Sequence, residues 1–196
     1  APSPYYTPEV AERCMQEIFL PTIEAMNKEG CPFRGCLYFG LILTADGPRV
    51  IEYNCRFGDP ETQVVLPLLQ SDLFSILRAV REERLAAADI AWRDGAAACV
   101  VLASGGYPKK YQTGFPITGL DADGGCAGAI VYHAGTKWQD GQYRTAGGRV
   151  LGVTGLGDTL EEAIRRTGLR DGMTISFHHH FRNGDHIINQ VVALLT

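Results

Sequence analysis

Apolar positions in the first part of the chain follow helical spacing. Thr7, Pro8 and Glu9 form a helix start, with a hydroxyl N-cap, a proline at the first helical position and an acid where the helix dipole favours it. Apolar residues then recur at approximately helical intervals as far as Asn27. Pro21 lies inside this helix, and we expect it to kink the helix or to split it in two.

A hairpin and two shorter helices are predicted next. The run Cys36–Leu43 is typical of a strand, Ala45–Pro48 carries turn residues, and Arg49–Asn54 is the returning strand. The spacing then predicts helices over Thr62–Leu69 and Asp72–Glu83.

The pattern changes at residues 84–95, where a polar stretch with small residues indicates a domain boundary. Glycine-rich turns beyond it join three predicted strands, over Ala96–Ala103, Ala127–Tyr132 and Arg149–Leu156. Thr159 and Glu162 then form a capping box at the start of a helix. Helices with antiparallel strands predict an α+β protein.

Composition narrows the class of protein. A chain of 196 residues that is 45% hydrophobic and 20% charged can bury a real core. The net charge of −4 gives no broad electrostatic reason to bind nucleic acid or an anionic membrane. The six cysteines include no CxxC pair, and most lie in apolar runs. We therefore expect a cytoplasmic protein with no nucleic-acid or membrane partner.

Polar side chains are densest at the end of the strand that reaches Asn54. Glu52 and Asn54 share one face of that strand, about 6.6 Å apart along the chain. Two hard oxygen ligands so placed can share one Mg²⁺ ion, or two Mg²⁺ ions bridged by a nucleotide phosphate. Arg56 suits a carboxylate or phosphate, while Asp59 and Glu61 could orient Arg56 or an incoming amine. A bare Glu-x-Asn pair is more often solvated or turn-capping. The added arginine and carboxylates favour a metal-nucleotide site with an anionic substrate alongside.

The segment from Glu52 to Leu69 closely resembles the signature of the phosphoribosylamine–glycine ligase family, also called glycinamide ribonucleotide synthetases, which are ATP-grasp enzymes of purine biosynthesis. The resemblance covers about residues 1–164 and is also carried by Tyr5–Glu9, Pro32–Gly35, Val101–Pro108, His133–Lys137 and Gly147–Val153. It implies the carboxy-terminal lobe of an ATP-grasp domain over residues 1–90, with an antiparallel sheet and helices. A small β-rich domain would then span residues 91–164.

The resemblance also implies a reaction. ATP would phosphorylate the carboxylate of glycine, and the amine of phosphoribosylamine would attack the resulting acyl phosphate. Glu52 and Asn54 would bind Mg²⁺, or Mn²⁺, between the ATP phosphates. Arg56 would contact the glycine carboxylate or the transferring phosphoryl group, and Asp59 and Glu61 would shape the same pocket.

Arg149 is a further candidate, because it follows Gly147 and Gly148 in one of the matching segments. By the resemblance it would bind a phosphate of the substrate or of the nucleotide. A surface arginine at a sheet edge is an equally good interpretation.

Family members also have an amino-terminal lobe that carries a nucleotide-clamping lysine and a glycine-rich loop, upstream of Tyr5. Ala1–Pro4 resembles the middle of a longer protein. We therefore expect the chain alone to have at most weak ligase activity, and its exposed apolar surface to favour self-association. A different hypothesis is a non-catalytic module that binds or completes a separately encoded lobe.

Residues 165–196 depart from the family. From about residue 160 the chain resembles the α subunit of citrate lyase, which has the coenzyme A transferase fold, so a short foreign αβ tail is expected. His178–His180 is a poor metal cluster, because neighbouring side chains on a strand point to opposite faces. A purification tag is disfavoured because the histidines are internal. A citrate lyase-related role of the tail is a third hypothesis, and it predicts binding of coenzyme A or an acyl carrier.

Overall fold

A computed structural model describes residues 1–170 and residue 173. It contains two compact units. We call Pro2–Glu61 together with Leu69–Arg93 the hairpin unit. We call Ala1, Thr62–Leu68 and the described residues from Asp94 onward the sheet unit. The hairpin unit ends at Arg93, and this position falls within residues 84–95, where the sequence indicated a domain boundary. The sequence did not predict that Thr62–Leu68 would belong to the sheet unit.

Helices and antiparallel strands are both present, as the sequence predicted. In chain order the described elements are α1 (Pro8–Cys14), a π-helical turn (Met15–Phe19), α2 (Leu20–Lys28), β1 (Tyr38–Thr44), β2 (Gly47–Asn54), α3 (Thr62–Val65), a 3-10 turn (Leu66–Leu68), α4 (Leu73–Arg81), a second 3-10 turn (Leu85–Ala87), β3 (Ala96–Ala103), β4 (Ile130–His133), β5 (Thr136–Gln139), β6 (Gln142–Thr145), β7 (Arg149–Gly157) and α5 (Leu160–Arg166). None of the helices in this part of the chain is long and apolar enough to cross a membrane.

The first helix begins where the sequence predicted, and the side chain of Thr7 accepts a hydrogen bond from the Val10 amide at 3.4 Å. Pro21 does not end the helix or split it into separate pieces. Instead a π-helical turn precedes it, in which the Leu20 amide donates to the carbonyl of Met15. The widened turn accommodates a residue that has no amide hydrogen and whose ring crowds the preceding carbonyl.

Strand β7 is the centre of the sheet unit. It pairs antiparallel with β3 on one side and with β4 on the other. Thr154 on β7 is fully buried, and its hydroxyl donates to the carbonyl of Gln63 at 2.9 Å. A Cβ at Gly155 would collide with the carbonyl oxygen of Ala163, so α5 lies directly against this strand. The strand predicted over Ala127–Tyr132 begins later, at Ile130.

The capping box at the start of α5 forms, but one of its two hydrogen bonds uses an amide one residue earlier than the usual one. Thr159 accepts a hydrogen bond from the Glu162 amide at 3.1 Å, as predicted. The Glu162 carboxylate accepts from the amide of Asp158, one residue before the N-cap, at 2.9 Å. Both bonds satisfy amides that the helix start leaves without a partner.

The β5–β6 hairpin was not predicted. Its loop is Asp140–Gly141, and both residues have positive φ, of 53° and 75°. That is the backbone of a two-residue turn whose commonest sequences include Asp-Gly. The dipeptide was therefore the signal that could have revealed this hairpin between the four-residue strands.

Candidate functional site

The polar face of the β1–β2 hairpin is formed by cross-strand partners. Tyr38 pairs with Asn54, and Gly40 pairs with Glu52. Directly opposite residues of an antiparallel ladder point to the same face, and so do residues two apart on one strand. These four positions therefore share one face, as the spacing of Glu52 and Asn54 predicted.

A β-bulge sets this register. Leu41 pairs with Val50, and continuing that register would place Ile51 opposite Gly40 and Glu52 opposite Phe39. The register instead shifts by one residue between Gly40 and Leu41, so that Glu52 faces Gly40. An extra residue on one strand reverses the faces of the residues beyond it, and such bulges often re-aim side chains at functional sites.

The two candidate metal ligands touch each other. The Asn54 Nδ2 donates to the Glu52 Oε1 at 3.4 Å. Glu52 is exposed and Asn54 is half-buried. A Cβ at Gly40 would lie 2.8 Å from the Glu52 Cγ and 3.6 Å from its Oε1. Only a glycine leaves the Glu52 side chain its present position.

This pair fits a Mg²⁺ ion in its donor chemistry. Mg²⁺ in nucleotide sites takes one or two carboxylates and completes its shell with water and substrate phosphates. Glu52 supplies a carboxylate, and Asn54 can turn its amide oxygen toward a cation held there. Among residues 1–170 and 173, no group of three or more His, Cys, Asp and Glu side chains could hold a metal ion.

Glu61 is held in place by two neighbours in the hairpin unit. Its Oε1 accepts a hydrogen bond from the Tyr38 hydroxyl at 3.3 Å. Its Oε2 lies over Gly58, so closely that a Cβ there would collide with it. Glu61 is half-buried and Gly58 is buried. The carboxylate is therefore bounded on one side by a phenol and on the other by bare backbone.

The Tyr38 phenol is perturbed by this environment. Burial raises its pKa to about 12, with further contributions from the negative charge of Glu61, the hydrogen bond to Glu61 and the charge of Glu52. Each of these disfavours the phenolate. Tyr38 thus stays a hydrogen-bond donor throughout the neutral pH range.

Arg56 and Asp59 follow the strand on the exposed loop. The Arg56 Nη1 donates to the carbonyl of Phe57 at 2.9 Å, so the guanidinium folds back on its own backbone. Both side chains are exposed. Side-chain hydrogen bonds thus join Glu52 to Asn54 and Glu61 to Tyr38. The hydrogen bond described for Arg56 goes to a backbone carbonyl.

The apolar face of the hairpin rests on the first helices. Phe39 and Tyr53 pair across the ladder with ring centroids 5.3 Å apart, and Phe19 lies 4.5 Å from Phe39. At the far end, the Arg13 Nη2 donates to the carbonyl of Asp46 in the hairpin turn at 3.0 Å. The strands are thus supported at mid-length and at the turn.

Arg149 belongs to the sheet unit. It is the first residue of β7, lies opposite Ala103 at an irregular point of the ladder, and is exposed. Nearby, the Ser104 Oγ donates to the Gly147 carbonyl at 2.8 Å, and the Ser104 amide donates to that of Gly148 at 2.8 Å. The glycines before Arg149 are therefore fixed by the loop that follows β3.

Two family models match the chain. Residues 1–62 match the phosphoribosylglycinamide synthetase ATP-grasp (A) domain, and residues 97–183 match the phosphoribosylglycinamide synthetase C domain. The chain belongs to the phosphoribosylglycinamide synthetase family. The first match contains Glu52 to Glu61, and the second contains Arg149 and continues beyond Ile164 to residue 183.

Curated relatives give the same family. The phosphoribosylamine–glycine ligase of Caldanaerobacter subterraneus subsp. tengcongensis is 45% identical over 177 residues, which is 90% of this chain and 42% of the relative. The trifunctional purine biosynthetic protein adenosine-3 of Gallus gallus is 45% identical over 166 residues, 84% of this chain and 16% of that protein. The chain thus spans 42% or less of the length of these relatives.

A solved structure of the family is similar in fold. The crystal structure of phosphoribosylamine–glycine ligase from Thermotoga maritima superposes with a TM-score of 0.70 at 36% sequence identity. The likeness covers 85% of this chain and 40% of that chain. These comparisons confirm the predicted family. They also confirm that the chain corresponds to the carboxy-terminal portion of its members.

The tail hypothesis falls largely outside the described residues, because residues 171–196 other than 173 are not described. His178–His180 lies there as well. The resemblance to citrate lyase stays a prediction, as does the assignment of residues 165–196 to a foreign tail.

Sequence reasoning missed Tyr38 and Gly40, which flank the predicted ligands. Their signal was the hairpin itself, since each ligand on β2 must have a partner on β1. The partner could not be named from the sequence because the bulge moves the register by one residue.

Proposed function

We propose that this chain forms part of an ATP-dependent ligase that joins glycine to 5-phosphoribosylamine. The γ-phosphoryl group of ATP passes to a carboxylate oxygen of glycine, giving glycyl phosphate and ADP. The amine nitrogen of phosphoribosylamine then attacks the acyl carbon. The bond from that carbon to the phosphate oxygen breaks, the nitrogen loses a proton, and glycinamide ribonucleotide and phosphate are released.

The contact between Glu52 and Asn54 on one face of β2 is the observation that carries this proposal. ATP-grasp ligases generally use ATP with Mg²⁺, and a carboxylate beside an amide oxygen suits that ion. When bound, Mg²⁺ would neutralise phosphate oxygens during phosphoryl transfer. Glu52 and Asn54 would hold this ion, and Mn²⁺ would serve as a substitute.

The loop after β2 supplies the groups for the other substrates. Arg56 is exposed and can turn from the Phe57 carbonyl to a carboxylate or phosphoryl group, for which a guanidinium fork is well matched. Asp59 and Glu61 are carboxylates within five residues of Arg56 and serve to orient the guanidinium or to accept a proton of the amine. Arg149 is proposed to bind a phosphate of the substrate or the nucleotide.

The division of the chain is part of the proposal. Residues 1–90 would form part of an ATP-grasp lobe, residues 91–164 a β-rich domain of the ligase, and residues 165–196 a tail like that of citrate lyase. The match to the synthetase C domain runs to residue 183 and so includes the first part of that tail. The small-molecule partners are ATP, glycine and phosphoribosylamine.

A fusion protein tests the function. The part of the Caldanaerobacter ligase upstream of its match to this chain is joined to Ala1, and glycine-dependent release of ADP is measured. We expect release well above that of the upstream part alone. Glu52→Gln keeps the size of the side chain but removes its charge, and should lower kcat by about 100-fold or more.

Glu24→Gln is the matched control, since Glu24 is an exposed carboxylate on α2 of the same unit and should leave kcat unchanged. Failure of the fusion to exceed the upstream part would contradict the ligase proposal and favour the non-catalytic module. Equal rates for the two variants would contradict the metal assignment.

A further inference from the structure

We propose that Tyr38 is a positioning residue that fixes the carboxylate of Glu61 for the amine substrate. The inference rests on the proposed ligase function and adds to it a residue outside the family signature segment. Tyr38 lies on β1, whereas the signature begins on β2. From β1, which pairs with the strand carrying Glu52 and Asn54, the phenol of Tyr38 reaches the carboxylate of Glu61 at the end of the loop after β2.

The hydrogen bond has a defined direction. An ionised carboxylate can only accept, so the Tyr38 hydroxyl donates to the Glu61 Oε1, at 3.3 Å. Its single hydrogen is then engaged, and the phenol oxygen holds one carboxylate oxygen at a fixed place. Glu61 ends a loop, and without this bond its side chain would be free to sample other rotamers.

Gly58 bounds the same carboxylate on the other side. The Glu61 Oε2 occupies space that the Cβ of any other residue at position 58 would fill. Gly58 is buried, so the Glu61 Oε2 contacts protein backbone on this side and not solvent. Tyr38 and Gly58 therefore act on the two oxygens separately, and together they restrict the orientation of the carboxylate plane.

The register ties this arrangement to the metal face. Tyr38 is the cross-strand partner of Asn54, and Gly40, two residues on, is the partner of Glu52. Tyr38 thus stands on the same face as both candidate ligands while its hydroxyl contacts Glu61. One side chain sets the position of Glu61 relative to the strand that carries Glu52.

A positioned carboxylate suits an amine nucleophile. As the nitrogen attacks an acyl phosphate it gains positive character, and a fixed anionic acceptor stabilises that charge and takes up the proton. Glu52 is assigned to the metal in the proposed function, so Asp59 and Glu61 are the carboxylates left for this role. Of these two, we assign it to Glu61, because its oxygens contact Tyr38 and Gly58. Removing a hydrogen bond to a charged group is expected to cost about 10-fold to 100-fold.

The first experiment uses the chain itself and needs no activity. Side-chain carboxyl carbons of Glu are labelled with carbon-13, and the Glu61 resonance is assigned by its loss in Glu61→Gln. Tyr38→Phe removes only the hydroxyl and should move the Glu61 resonance. Tyr53→Phe is the matched control, because Tyr53 lies on the opposite face of the same hairpin, and it should leave that resonance in place. An unmoved Glu61 resonance in Tyr38→Phe would overturn the inference.

The second experiment uses the fusion protein described above. Tyr38→Phe should raise KM for phosphoribosylamine, or lower kcat/KM for it, by about 10-fold or more, while KM for Mg-ATP stays within about twofold. A residue needed only for folding would affect all substrates alike. Gly58→Ala, which displaces the same carboxylate from the other side, should produce the same selective loss.

A double-mutant cycle completes the test. If Tyr38 acts through Glu61, then Tyr38→Phe should have little further effect in a Glu61→Ala background. If the losses in kcat/KM from the two single substitutions multiply in the double variant, the inference is overturned, while the ligase function stands. A fusion with no glycine-dependent ADP release would instead overturn the proposed function, and this inference with it.

Discussion

Gly40 lies opposite Glu52 across the β1–β2 ladder, and a Cβ on residue 40 would stand 2.8 Å from the Glu52 Cγ. Bonded geometry fixes the Cγ far more tightly than the carboxylate oxygens, so the clash cannot be relieved by turning the end of the side chain. The glycine therefore determines where the proposed metal ligand can point.

Gly40→Ala should weaken metal binding. The added methyl group displaces the Glu52 side chain, and we expect the affinity of the chain for Mn²⁺ to fall by about 10-fold, in the range found when groups supporting a metal ligand are altered. Binding can be followed by the paramagnetic resonance of free Mn²⁺. Gly105→Ala is the control, because a Cβ there meets nothing within 4 Å. Equal affinities for the two variants would show that Glu52 tolerates the displacement.

The β1–β2 hairpin shows what sequence reasoning could reach and where it stopped. A period of two placed Glu52 and Asn54 on one face, and their contact confirms that prediction. The partners on β1 depended on a one-residue bulge between Gly40 and Leu41, which a strict period of two along each strand does not reveal. The missed β5–β6 hairpin is a different case, because Asp140–Gly141 carried a local signal.

Gly155→Ala should destabilise the sheet unit. The new Cβ would collide with the backbone carbonyl of Ala163, which cannot rotate away, so α5 must move off β7. We expect a loss of about 1–3 kcal/mol in the free energy of unfolding, typical of overpacking in a core. Urea denaturation measures it. Gly152→Ala is a graded comparison, because its Cβ would approach the Cys99 Sγ at 3.2 Å, and it should cost less. Reversal of that order would contradict the packing described for α5.

Tyr38 should lose its proton at a higher pH than an ordinary phenol. Burial and the charge of Glu61 raise its pKa from 10.0 to about 12. The folded state then holds the proton more tightly than the unfolded state, so this group's contribution to stability is complete below the unfolded pKa and is lost as the pH rises through the folded pKa. The difference in tyrosinate absorbance between the parent chain and Tyr38→Phe should appear near pH 12. Glu61→Gln removes the negative neighbour and should move that step to lower pH. A step unmoved by Glu61→Gln would mean that the two side chains do not interact in solution.

Exposed cysteines should react with thiol reagents faster than the buried Cys14. Cys14 has no exposed surface, and burial raises the pKa of its thiol, whereas Cys31 and Cys55 are exposed. Because the thiolate is the reactive form, a thiol reagent at mildly alkaline pH should label the two exposed cysteines rapidly in the folded chain. Cys14 should become labelled only as the hairpin unit unfolds. Mass spectrometry of peptides after timed alkylation, with and without urea, measures each site separately. Rapid labelling of Cys14 without urea would contradict the packing of α1, and a Cys14→Ser variant would confirm which peptide carries the signal.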